Sequence, residues 1–135
     1  MNEQDEVRLR HMLDESRRVQ RFIQDHSRED MDSDDLFAYA IVRAVEIIGE
    51  AASRISPEFR AQTPEIPWRN IIGMRNVIVH AYADVSYDIV WQVAAGNLPE
   101  LILTLESLLP DSGETDLGPS GEATQVKDIW TPSGE

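Results

Sequence analysis

No cysteine occurs among the 135 residues, which excludes disulfides, thiolate–metal sites and a cysteine nucleophile together. No charge-free apolar run approaches the roughly 20 residues a helix needs to cross a bilayer, so no membrane partner is expected. No segment alternates with period two for long enough to make a strand. "NVIVH" (76–80) is β-prone by composition, but the helical frame around it keeps it helical. The opening stretch "MNEQDEVRLRHML" is charged and lacks the apolar core of a signal peptide. A cytoplasmic protein is the expectation.

What is present suits one modest core: 41% of the residues are hydrophobic. The formal net charge of −13 argues against extended duplex binding, because an acidic surface repels a phosphate backbone. The charge is uneven, however. Residues 8–21 carry five arginines against Asp14 and Glu15, and residues 54–80 carry Arg54, Arg60, Arg69 and Arg75 against Glu58 and Glu65. Residues 25–35 hold six acids against Arg28. Screening acts over about 8 Å at physiological salt, so such patches matter more than the total. A short RNA contact is permitted.

Leu9, Met12, Leu13, Val19 and Ile23 recur at three- and four-residue steps and predict a first helix over about 4–26. "SREDMDSDD" reads as a polar loop supplying an N-cap and acidic first-turn residues. A second helix follows to about Arg54, with Phe37, Ala40, Ile41, Ala44, Ile48, Ala51 and Ile55 on one face. "SPEF" (56–59) starts a helical turn with Ser before Pro, and "TPEIPW" is extended ahead of its prolines. A third helix is predicted from about Pro67 to His80. Ser86 caps a fourth that runs through Leu109, with Pro99 kinking or splitting it. The expectation is an all-α, antiparallel up-and-down four-helix bundle over residues 1–109. Residues 110–135, rich in Gly, Pro, Ser and acid, read as a disordered acidic tail containing the small apolar island "VKDIW" around Trp130. Gly49 and Gly73 each weaken a helix by about 1 kcal/mol relative to alanine. A close approach of the second and third helices would use them.

Within the third helix, "MRNVIVHAY" puts Arg75, Asn76, His80 and Tyr82 into an otherwise apolar segment. Arginine presents a planar fork of donors that suits a phosphate, and histidine exchanges a proton near neutrality. Together they suffice for RNA cleavage without a metal or other cofactor. His80 would move a proton at the ribose 2′-hydroxyl or the leaving oxygen, Arg75 would stabilise charge on the phosphorane, and Asn76 would orient one or the other. Five helical residues leave Arg75 and His80 about 140° apart, so either the helix ends near His80 or the site is completed from elsewhere. A symmetric dimer would supply a second proton-transfer group. The same residues also admit a structural reading, with arginine paired to a carboxylate and histidine at the helix C-terminal carbonyls.

"RLRHMLDESR", "AVEIIGEAASRISPEFRAQTPEIPWRNIIGMRN" and "VHAYADVSYDIVW" resemble the HepT-like branch of the HEPN superfamily, all-α toxins paired with MNT-type minimal nucleotidyltransferases. The likeness spans about residues 6–109. The family's motif is an arginine, a polar residue, a histidine four to six positions after the arginine and a tyrosine two later; Arg75, Asn76, His80 and Tyr82 match it. The resemblance implies a dimeric, metal-independent ribonuclease toxin with its cleft at the dimer interface. It implies also that an antitoxin nucleotidyltransferase transfers AMP onto Tyr82.

Arg43, Glu46, Glu50 and Arg54 follow one another at steps of three and four. They read either as a solvated face of ion pairs worth a few tenths of a kcal/mol each, or with Arg43 or Glu46 lining the cleft and orienting His80. Asp84 and Asp88 read as helix-start charges, and Trp68 and Trp91 as core anchors. A rival function of another class is a non-catalytic, dimeric module that binds a nucleotide or RNA and acts through complex formation.

Overall fold

The computed structural model describes residues 1–80 and 85–110, without the side chains of Val77, Val79 and His80. The expected modification site Tyr82 and the expected tail from residue 111 onward, with Trp130, lie outside the described residues. The described chain is helical: α1 (Glu3–Ile23), α2 (Asp30–Ser33), α3 (Asp35–Ser53), α4 (Pro57–Gln62), α5 (Trp68–His80), α6 (Tyr87–Gln92) and α7 (Leu98–Leu108), with a π-helical turn (Val93–Asn97) joining the last two. Long rods α1, α3, α5 and α6–α7 make the four-helix bundle, as expected. Among the described residues no helix is long and apolar enough to cross a membrane.

The helix starts follow the capping residues. Asn2, Asp34, Ser56 and Ser86 accept from the backbone N–H three positions on, at Asp5, Phe37, Phe59 and Ile89. Three details depart from the sequence expectation. Helix α1 stops at Ile23 rather than near residue 26, because Asp25 takes a left-handed φ of 64° and turns the chain. The acidic loop before α3 carries the extra turn α2, whose Met31 is fully buried and anchors it to the core. The Pro99 irregularity lies upstream of the proline. Pro99 has no N–H for the carbonyl four residues back, and the ladder widens so that Leu98 N–H reaches the Val93 carbonyl. Gln20 Nε2 donates to the freed Ala94 carbonyl at 2.7 Å.

The long-range contacts fix an antiparallel order. Arg10 reaches the Pro110 carbonyl (2.9 Å), Arg17 pairs with Glu106 (2.7 Å) and Gln20 meets Ala94, so α7 descends as α1 ascends. Buried Asp5 accepts from Ser56 N (2.9 Å) and Ser56 Oγ (2.6 Å), which brings the end of α3 back to the start of α1. Leu9, Met12, Val19, Ile41, Ile48, Ile71, Leu98 and Leu105 fill the centre. Helix α1 packs on α3 and α7, whereas α5, among the described residues, packs chiefly on α3. Among the described residues one flank of α5 is therefore left open.

Candidate active site

Helix α5 buries Trp68, Ile71, Met74 and Ile78, a stripe at helical spacing that faces α3. Arg75 lies at the edge of that stripe, with 29% of its side chain exposed. Its position depends on a glycine. A methyl group on Gly49 of α3 would lie 2.9 Å from Arg75 Cγ and 3.3 Å from its Cα, and would overlap Arg75 Cβ. The expected close approach of the second and third long helices is therefore real at Gly49. Gly73, its expected counterpart, lines an open groove beside α5 instead.

The Arg75 guanidinium is held at two points. Nη2 lies 2.7 Å from Glu50 Oε1 on α3, and Nη1 donates to Asn76 Oδ1 at 3.2 Å. Arg75 Nε is buried and has no hydrogen-bond partner among the described residues. Glu50 also accepts from Arg54, at 3.0 Å to Nε and 2.8 Å to Nη2. Its carboxyl is held below its ordinary range, first by the Arg54 hydrogen bond and then by the charges of Arg75 and Arg54, against the opposing effect of burial. A single carboxylate thus bridges two guanidiniums.

Sequence reasoning weighed Arg43 and Glu46 as cleft residues. In the structure they pair with each other along α3, at 3.2 Å, with Arg43 two-thirds exposed. Both halves of the solvated-face reading hold, since Arg43–Glu46 and Arg54–Glu50 are ion pairs. What it missed is that Glu50 also reaches across to Arg75. The signal was Gly49: an acid beside a glycine that admits another helix is an acid within reach of it. His80 is the last described residue of α5, and its side chain lies outside the described residues. Structure thus brings together Arg75, Asn76 and Glu50. Of the remaining expected residues, Trp68 is buried, Trp91 packs against the core, and Asp88 starts α6 and pairs with Arg28 at 2.6 Å.

A family model described as ribonuclease HepT-like matches residues 12–108, well over half of the chain. The chain belongs to the HepT-like ribonuclease family. Among its relatives, a protein of Caldanaerobacter subterraneus subsp. tengcongensis that carries a provisional RNase name is 36% identical over 75% of this chain and 90% of its own length. A Thermococcus cleftensis protein named "Probable ribonuclease HepT" is 36% identical over 67% of this chain and 82% of its own. A Methanocaldococcus jannaschii protein, also provisionally named as an RNase, is 31% identical over 67% of this chain and 83% of its own. No solved structure matches the chain at a significant level.

Proposed function

We propose that this chain is the toxin of a toxin–antitoxin pair, an endoribonuclease that cuts RNA by acid–base chemistry without a metal. The observation that carries the reading is Arg75, fixed beside Asn76 on α5, five residues before His80, in a chain of the HepT-like ribonuclease family. In the proposed reaction the ribose 2′-oxygen attacks the adjacent phosphorus as an imidazole takes its proton. The bond to the 5′-oxygen breaks as a second imidazole supplies a proton to it. The products are a 2′,3′-cyclic phosphate and a free 5′-hydroxyl, and Arg75 balances the charge that builds on the phosphorane.

Two imidazoles call for two chains. Leu36, Tyr39, Arg43, Glu46 and Glu50 fall within about 80° of one another around α3, and Leu36 and Tyr39 are 81% and 73% exposed. Large apolar side chains left in water on the face of α3 that also carries Glu50 support a homodimer closing over this stripe. In this arrangement Arg43 and Glu46 would line the shared cleft. The antitoxin, a minimal nucleotidyltransferase, would transfer AMP from ATP to the Tyr82 hydroxyl and release pyrophosphate. The added phosphodiester would compete with RNA phosphate for Arg75.

The test is a nuclease assay in EDTA with the full-length protein and no partner. Wild type should cleave a labelled RNA, and His80→Ala should lose cleavage while keeping its helical circular dichroism. Cleavage by His80→Ala at the wild-type rate would remove the histidine from the mechanism. RNA binding without cleavage by wild type would favour the non-catalytic module. For the modification, intact mass after incubation with partner and ATP should show an AMP adduct on wild type and none on Tyr82→Phe. An adduct on both would move the modified residue elsewhere.

A further inference from the structure

An open groove of about 830 Å³ runs between α4 and α5, within the range of small-ligand sites. Its α5 wall presents Arg69, Ile72, Gly73 and Asn76, which recur at three- and four-residue steps; its α4 wall presents Pro57 and Arg60. Asn76 belongs both to this groove and to the Arg75 site, where it accepts from the guanidinium. The groove therefore begins at the site and leads away from it.

Its charge is unlike that of the rest of the molecule. Acids outnumber bases by 25 to 12 in the chain, yet among the described residues no carboxylate lines the groove. The guanidiniums of Arg60 and Arg69 have no hydrogen-bond or ion-pair partner among the described residues. Glu58 and Glu65, the acids nearest in sequence, do not line it.

The walls are also fixed before any ligand arrives. Buried Asp5 accepts two hydrogen bonds from Ser56 at the start of α4. Thr63 Oγ1 donates to the Phe59 carbonyl (2.9 Å) and accepts from Trp68 Nε1 (3.0 Å), which locks the end of α4 to the start of α5. Two donor forks on a fixed frame suit phosphate oxygens. From Arg69 to Asn76 the helix rises about 10.5 Å. At about 3.4 Å per stacked nucleotide, that length holds about three nucleotides.

We infer that the α4–α5 groove is a subsite for single-stranded RNA, in which Arg60 and Arg69 bind the phosphates of about three nucleotides flanking the linkage presented to Arg75. The inference rests on the ribonuclease reading for its choice of ligand, so binding and cleavage are measured separately. Binding uses fluorescence anisotropy of a labelled, unstructured RNA dodecamer on full-length His80→Ala. Adding Arg60→Gln and Arg69→Gln should lower affinity at least tenfold. It should also flatten the slope of log K against log[salt] by about 1.4, the value for two phosphate contacts on a single strand. The charge-matched pair Arg18→Gln and Arg21→Gln, on α1, should change neither by more than twofold.

An unchanged affinity and slope in the groove variant would overturn the subsite, as would an equal loss in the α1 variant or no RNA binding by His80→Ala. In cleavage assays on an otherwise wild-type background, the groove variant should raise KM and leave kcat within twofold. If wild type binds RNA through the groove but cuts none, the ribonuclease reading fails and the subsite stands. If it cuts RNA but binding ignores the groove arginines, the reverse holds.

Discussion

The arginines of α1 and those of α4 and α5 come from the two stretches of this sequence with a local excess of positive charge, yet they end in different company. On α1, Arg10 ties down the chain after α7 through the Pro110 carbonyl, Arg17 pairs with Glu106, and Arg18 lies 3.9 Å from Glu15. These contacts close the α1–α7 face on itself. On the other flank, Arg60 and Arg69 have no such partners among the described residues, and Arg75 shares its carboxylate with Arg54. Three of the five α1 arginines are thus engaged within the bundle, while Arg60 and Arg69 are the pair inferred above to bind phosphate. The difference arises because α1 is flanked by two long helices while α5 packs chiefly on one.

The largest test of that contrast is a pair of arginine deletions. Arg75→Ala should reduce RNA cleavage by about 10²–10³-fold, the range for losing one transition-state donor, with little change in melting temperature. Arg17→Ala should leave cleavage unchanged and remove less than about 1 kcal/mol of stability, because its pair with Glu106 is partly exposed. Equal effects of the two on turnover would erase the distinction between the faces.

Next in size is Asp5, a buried carboxylate that serves the open flank from the closed side. Asp5→Ala leaves the Ser56 N–H and hydroxyl without their acceptor, a loss of about 2 kcal/mol. In a domain of this size that lowers the melting temperature by roughly 5–10 °C. With α4 loosened, RNA affinity should fall as well, and thermal melts run beside anisotropy would show both. A fall in stability with no fall in affinity would detach the α4 wall from RNA binding.

Much of this frame was legible in the sequence. Helical spacing of Leu9, Met12, Val19, Phe37, Ile41 and Ile48 marked the core faces, and Ser56 and Ser86 marked helix starts, because periodicity and capping are local and survive in one dimension. Arg75 and Asn76 were legible as a candidate site from their side-chain chemistry and from the family motif. Glu50 was not, since its reach to Arg75 depends on which helix lies beside α3. Asp5 was hidden for the same reason: its partner is 51 residues away. Nor could the sequence say that Arg60 and Arg69 would have no ion-pair partner among the described residues while Arg17 would. Pairing is settled by packing.

Gly49→Ala sharpens the comparison at the seam where the open flank meets the core. Alanine should favour α3 by about 1 kcal/mol, but its methyl would overlap the Arg75 Cβ, and overpacking of this kind costs about 1–3 kcal/mol. The overlap wins, so a net loss on the order of 1 kcal/mol is expected in urea denaturation. Turnover should fall further than stability, by about tenfold or more, because α5 must shift and carry the guanidinium with it. A variant as active as wild type would mean that the tight approach serves packing alone.

The smallest effect isolates the carboxylate between the two guanidiniums. Glu50 is held below its ordinary carboxyl range, first by the Arg54 hydrogen bond and then by the Arg75 and Arg54 charges. A lowered folded-state value means that its contribution is complete above the unfolded-state value, about pH 4.3, and is lost as pH falls through the folded one. With more than a third of the side chain exposed, that contribution is less than about 1 kcal/mol. Urea titrations of wild type and Glu50→Gln should therefore differ at pH 6 and converge as Glu50 becomes protonated in the folded state, as the other carboxylates titrate alike in both. A gap that stays constant through that protonation would mean that Glu50 acts through packing. Near neutrality Glu50→Gln should also bind RNA more tightly, since it removes a negative charge from beside the phosphate, and turn over more slowly, since Arg75 loses its anchor. That opposed pair of changes would separate a residue that positions the arginine from one that merely neutralises it.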